Sequence, residues 1–288
     1  MLLSTFTGNM NVKESLLGAI ASGKLSHGLL LCAEKGMGVN HFAFLLACDI
    51  VGTTDIEGVK EGMNPLVQVI TGEGASGLIR VEKIRQINEN VNFSSISGEK
   101  RVVIIQNCEN FNASSANALL KNLEEPKYDI TYILTTNQPR SILATIRSRC
   151  AIYTLSAPGK SEIIEYFRKE SADMETVDNL MSVYGENIGK IENSLTNEKR
   201  YAVLTNAVTA YKHIRQNNTY EVAKACAVYS KNKEDFKLFM DDLKDICHRN
   251  LSQKNISVIN TIQKYNLLLA GNVNLNLAIE NFAVDVTR

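Results

Sequence analysis

GLLLCAEKGMGVN, residues 28–40, decides how the rest of the chain is read. Gly28 to Ala33 is an unbroken apolar run of strand length, apart from its opening glycine. The middle carries two glycines, Gly36 and Gly38, and an apolar stretch of helix length follows from Val39 to about residue 50. A strand, a glycine turn and a helix in that order open a parallel α/β unit. An apolar run without alternation suits a strand covered on both faces.

Working outward, the alternation repeats. LVQVI (66–70), RVVIIQ (101–106), TYILTT (131–136) and AIYTL (151–155) read as further strands. Asn11 with Glu14 three residues later makes a helix cap, after which Val12, Leu16 and Ile20 form one stripe until Gly23. A helix near 81–92 carries Val81, Ile84 and Val91 on one side, and SSANALLKNLEEP (114–126) is a helix closed by Pro126. The expected fold class is α/β with a parallel sheet. Ligands of such sheets gather at the carboxyl ends of strands, which directs attention to the turns after 33, 106 and 136.

All four prolines lie in the first 158 residues. Their absence beyond that point, with apolar residues at helical spacing, predicts a helical second half. At 288 residues the chain suits two or three domains, and it can bury roughly three quarters of its unfolded surface without staples. The expected parts are 1–156 (α/β), 157–200 (a small helical lid) and 201–288 (a helical bundle with helices at 221–230, 234–248, 257–270 and 274–286).

Lys plus Arg equals Asp plus Glu at 31 each, so composition marks no basic nucleic-acid module, though folding can still gather a positive face. The six cysteines (Cys32, Cys48, Cys108, Cys150, Cys226, Cys247) are scattered without CxxC spacing, which argues against a disulfide framework or a zinc site. No 18-residue apolar run and no signal-peptide pattern is present, so a soluble cytoplasmic protein with no membrane partner is expected.

The turn Ala33-Glu34-Lys35-Gly36-Met37-Gly38-Val39-Asn40 has the spacing of the phosphate-binding pattern G-x-x-x-x-G-K-[ST] and keeps Gly38. Ala33 replaces the first glycine, Val39 the lysine and Asn40 the magnesium-binding hydroxyl. A valine cannot neutralise terminal phosphates, and an amide is a poor replacement for the hydroxyl on magnesium. The helix-start amides could still hold an anion, and Lys35 could return part of the charge from the wrong side of the turn. Taken alone, the turn reads equally well as an ordinary glycine turn. An ATP site also needs an acidic pair after the 101–106 strand, and Gln106-Asn107 are neutral amides there. Two lesions in one site argue against hydrolysis.

SSANALLKNLEEP (114–126), ILTTNQP (133–139) and TIRSRC (145–150) resemble the central motifs of the bacterial clamp-loader branch of the AAA+ family. SHGLLL (26–31), Asn64-Pro65, RVVII (101–105) and NVNLNLAIENF (272–282) are similar to the family's corresponding segments. The resemblance covers about residues 1–195 well and thins to the last helix. It implies an AAA+ domain, a lid and a C-terminal collar domain. With a ruined phosphate loop and an intact Ser148-Arg149-Cys150, it implies the member that hydrolyses no ATP itself. Arg149 is then an arginine finger supplied in trans to a neighbouring motor, and Arg147 a structural or supporting contact. The implied partners are the tau/gamma motor subunits and the delta subunit, with the sliding clamp and primed DNA reached through the assembly. Neither a cofactor nor a metal is expected.

Thr136-Asn137 matches the position that senses the terminal phosphate in motors and reads here as structural. Lys190 matches a second sensor position and reads as a helix-surface lysine. Cys32 and Cys108 read as small core residues. Many family members carry a four-cysteine zinc module after the phosphate-loop helix. Residues 47–64 keep only Cys48, so a shortened mobile loop is expected over 52–62. Two other readings stay open: a divergent but active clamp-loader or helicase-loader ATPase, and a DNA-binding adaptor on an inactive fold.

Overall fold

A computed structural model describes residues 1–74, 77–92, 100–125, 129–249, 251–271 and 273–288. They divide into two compact units, Met1–Ile163 and Ile164–Arg288.

The first unit is built on a five-stranded sheet in the order β2-β3-β4-β1-β5. The strands are β1 (Gly28–Cys32), β2 (Val67–Ile70), β3 (Arg101–Ile105), β4 (Ile130–Thr136) and β5 (Ala151–Thr154), and every pairing is parallel. The connecting helices are α1 (Met10–Ala21), α2 (Val39–Val51), α3 (Ile56–Lys60), α4 (Val81–Asn92), α5 (Ala113–Glu124) and α6 (Ala144–Arg147). The two-residue period of a strand sorts β1 between two cores. Leu29 and Leu31 join Phe42, Leu45 and Leu46 of α2, while Leu30 and Cys32 join Ile84 and Ile87 of α4 and Leu119 of α5. That double covering explains the unbroken apolar run in β1 and why β4 is buried along its whole length.

Two local expectations are corrected. The first helix begins at Met10, with Asn9 rather than Asn11 at its cap, and Asn9 makes no side-chain cap. Its amide is engaged elsewhere: Nδ2 donates to the Ser156 carbonyl at 3.0 Å, and Oδ1 accepts from the Ser156 amide at 2.8 Å. This tertiary pairing outcompetes the local cap. The segment 52–62 is no bare loop, because it contains α3. Asp55 caps that helix by accepting from the Gly58 amide at 2.8 Å, and the buried Val59 anchors it. Helix α5 ends at Glu124 with Glu125 as its cap, while Pro126, expected to close it, lies outside the described residues, as does the Val91 side chain. The start of α5 carries a reciprocal capping box between Asn112 and Ser115.

The second unit is helical throughout its described residues. It takes in most of α7 (Lys160–Lys169), then α8 (Met174–Tyr184), α9 (Ile188–Thr196), α10 (Glu198–Arg215), α11 (Thr219–Ala227), α12 (Lys233–Arg249), α13 (Gln253–Ala270) and α14 (Leu275–Asp285). One apolar cluster, including Ala207, Val222, Phe236, Phe239, Ile262 and Phe282, joins α10 to α14. A polar cluster sits beside it: the Arg200 guanidinium pairs with both oxygens of Asp242, and Tyr184 Oη donates to Asp242 at 2.9 Å. Helix α10 runs through residue 200, and its Arg200 joins α8 to α12 by this contact.

Candidate functional site

The carboxyl ends of β1, β3 and β4 gather the residues singled out in the first two turns. After Cys32 the chain stays in register for one more bond, Ala33 N to Thr136 O at 3.1 Å, and then turns. Gly36 (φ +93°) and Gly38 (φ +72°) adopt left-handed conformations that side chains rarely accept. Gly38 also lies under the Phe6 ring, where an added Cβ would be 3.3 Å from the ring edge. Phe6 meets Phe42 edge-on at 5.0 Å, so the N-terminal segment packs onto the start of α2. Met37 and Val39 are both buried in the same apolar cluster. Where a motor would place its lysine, this loop places a core side chain.

Asn40 turns its amide to the sheet. Its Oδ1 accepts from Thr135 Oγ1 at 2.6 Å, and Thr135 Oγ1 accepts from the Asn107 amide at 3.1 Å. Asn107 is left-handed (φ 53°), a conformation asparagine tolerates. Its Oδ1 accepts from Asn137 Nδ2 at 3.4 Å. The Asn137 backbone amide in turn donates to Glu109 Oε1 at 3.4 Å. A ladder of amides and a hydroxyl, ending on the Glu109 carboxylate, thus joins the strand ends. The Gln106 backbone amide extends the β2–β3 ladder by donating to Ile70 at 2.9 Å. Thr136 Oγ1 accepts from the Gln138 amide at 3.0 Å, a turn-forming contact.

Glu109 carries no signal in the sequence beyond its proximity to the amide pair. Its second oxygen is buried without a hydrogen-bond partner among the described residues. Cys32 and Cys108 lie beside it as core residues. Burial raises both thiols; Glu109 adds to that, and Arg147 opposes it at Cys32. Among the described residues no group of three or more His, Cys, Asp and Glu is placed to hold a metal ion, and Cys48 is buried in α2.

Arg149 stands at the other end of β1. It follows the short α6, its backbone amide donates to Ile146 at 3.1 Å, and Cys150 leads into β5. Gly28, the first residue of β1, accommodates this turn: a Cβ there would be 3.0 Å from the Arg149 carbonyl and 3.2 Å from Cys150 Sγ. The five residues of β1, rising about 3.3 Å each, separate Arg149 from the Val39–Asn40 end of the sheet. The fold therefore does not bring Arg149 to its own chain's loop. Its guanidinium pairs through Nη2 with Glu124 Oε1 at 2.6 Å, and Nη1 donates to the Thr145 carbonyl at 2.9 Å. Glu124 belongs to the LEEP run quoted above, but nothing in the sequence pairs it with Arg149. Arg147 is exposed on the same short helix.

Lys190, read from the sequence as a helix-surface lysine, lies on α9 and is tied to its surroundings. Its side chain is only 27% exposed, pairs with Asp245 and lies over the Tyr184 ring at 5.7 Å.

Residues 8–159, just over half of the chain, match the family described as DNA polymerase III, delta subunit. The DNA polymerase III subunit delta' of Pseudomonas aeruginosa is 30% identical over 173 residues, covering 56% of this chain and 53% of that protein. Its counterpart in Haemophilus influenzae is 35% identical over 161 residues, covering 51% and 47%. The chain thus spans about half the length of the curated relatives it matches. Among solved structures, a DNA polymerase III gamma subunit-related protein from Thermotoga maritima aligns with a TM-score of 0.56 at 18% identity, over 95% of this chain and 99% of that one. At that identity the likeness is one of fold, the AAA+ type.

Proposed function

Because the chain belongs to the DNA polymerase III delta' family of clamp-loader subunits, we propose that it is the non-hydrolysing brace of the loader ring and supplies Arg149 in trans to ATP held by a neighbouring motor. The observation that carries this reading is the separation along β1. The end of the sheet with a phosphate-loop spacing has Val39 buried, Asn40 tied to Thr135, and Gln106-Asn107 where acids would be needed. Arg149 lies half-exposed at the opposite end, beside Glu124. An arginine so placed is out of reach of its own chain's loop and is available to a phosphate that another chain brings to it. A guanidinium is permanently charged and makes forked contacts with phosphate oxygens, which suits that task.

In this reading 1–156 is the AAA+ domain, 157–200 its lid and 201–288 the collar that joins the ring. The motors are tau/gamma subunits, the delta subunit completes the loader, and the clamp and primed DNA are reached through the assembly in the cytoplasm. No helix among the described residues is long and apolar enough to cross a membrane.

The test is a loader rebuilt from this chain, its tau/gamma motor and delta, assayed for clamp- and DNA-stimulated ATP hydrolysis with Arg149→Ala against wild type. A finger is worth roughly 10³–10⁵ in rate in well-studied phosphoryl-transfer systems, so the loss at the affected site is large while assembly persists. ATP binding by the isolated chain would instead support an active ATPase, and unchanged hydrolysis would leave Arg149 a structural residue.

A further inference from the structure

We propose that Glu124 is a positioning residue that stows Arg149 and must release it before the guanidinium can engage a partner's phosphate. The inference rests on the trans-arginine reading above. In the unpartnered chain two donors of the guanidinium are committed, one to Glu124 Oε1 at 2.6 Å and one to the Thr145 carbonyl at 2.9 Å. An arriving phosphate must share that cation with a carboxylate already on it, and like charges at such range repel. The paired geometry is therefore not the phosphate-engaged geometry.

The end of its own helix disfavours the Glu124 carboxylate. Glu124 is the last residue of α5, where the helix macrodipole is negative, and Glu125 follows as a second acid. A carboxylate at that position is locally unfavourable, and its favourable partner in the structure is Arg149. Both side chains keep substantial exposure, 34% for Arg149 and 48% for Glu124. An exposed pair is weak, so it can open without disturbing the fold. That weakness sets the size of the effect. A stowed-to-free ratio of about two to five follows from exposed-pair strengths, and it leaves a competent fraction of about one third to one sixth.

The experiment is a double-mutant cycle in the rebuilt loader, reading kcat and KM for ATP hydrolysis with wild type, Glu124→Gln, Arg149→Ala and the double variant. Expected are a kcat about three- to sixfold higher for Glu124→Gln with assembly unchanged, a large loss for Arg149→Ala, and a double variant no faster than Arg149→Ala alone. If Arg149→Ala abolishes stimulation but Glu124→Gln leaves kcat unchanged or lowers it, stowing is overturned while the trans arginine stands. A Glu124→Gln gain that persists without Arg149 also overturns it, since Glu124 would then act through another group. If Arg149→Ala has no effect, the trans-arginine reading fails, and stowing fails with it.

Discussion

Arg149–Glu124 in the first unit and Arg200–Asp242 in the second use the same chemistry under opposite conditions. Arg149–Glu124 lies at the rim of the sheet with both partners partly in water. Arg200–Asp242 lies inside the helical unit, with side chains 8% and 0% exposed. Around the second pair Tyr184 donates to Asp242 at 2.9 Å, and Arg200 donates to the Tyr184 oxygen at 2.8 Å. Burial pushes the Asp242 carboxyl up against the lowering pull of Arg200 and Tyr184. Burial alone would lower Arg200, but the Asp242 carboxylate holds it above its ordinary value. The difference teaches where exchange is possible. An exposed pair can trade its carboxylate for a phosphate, whereas a buried one cannot lose a partner without stranding a charge.

The largest effect that can break this contrast is catalytic. Arg149→Ala is expected to cost the affected ATP site roughly 10³–10⁵ in rate while moving the denaturation midpoint of the chain little. A large stability loss in urea would place Arg149 with the structural arginines instead. Asp242→Ala should do the reverse, costing about 3–5 kcal/mol because Arg200 is left buried and unpaired, with urea unfolding of the second unit as the readout. Replacing both partners, Arg200→Met with Asp242→Leu, sharpens the point. Removing both charges together should recover most of that loss, since a buried pair often does no better than well-packed apolar residues of similar size.

Smaller still is Glu124→Gln in the isolated chain, expected to change stability by no more than about 1 kcal/mol. The smallest effect is one of pH. Lys264 and Tyr265 lower the Asp285 carboxyl through hydrogen bonds at 3.0 Å each. Its stabilising contribution is in place above about pH 4, the range of an unfolded aspartate, and is lost as pH falls through the lower native value. Asp285→Asn should therefore lower stability slightly at neutral pH and converge on wild type as pH falls below the native value, which flattens the acid limb, as thermal melts across that range would record.

What local pattern could say, it said clearly. The uninterrupted run in β1, the apolar strands that follow and the helical spacing beyond Pro158 predicted the parallel sheet and the helical second half, because strand and helix periods are properties of neighbouring residues. The residue types at 39–40 and 106–107 could be set against a site pattern for the same reason, since each is a run of neighbours. What those residues do instead was decided only in three dimensions. Asn40 meets Thr135 across ninety-five positions, and Asn9 abandons its helix cap for Ser156 across 147. Glu124 reaches Arg149 because Gly28 lets the turn after α6 close against the start of β1. Arg200 finds Asp242 only when α10 packs on α12. Such partners are chosen by sheet order and helix packing, which no local period encodes, and they separate the arginine that can be offered to another chain from the one that cannot.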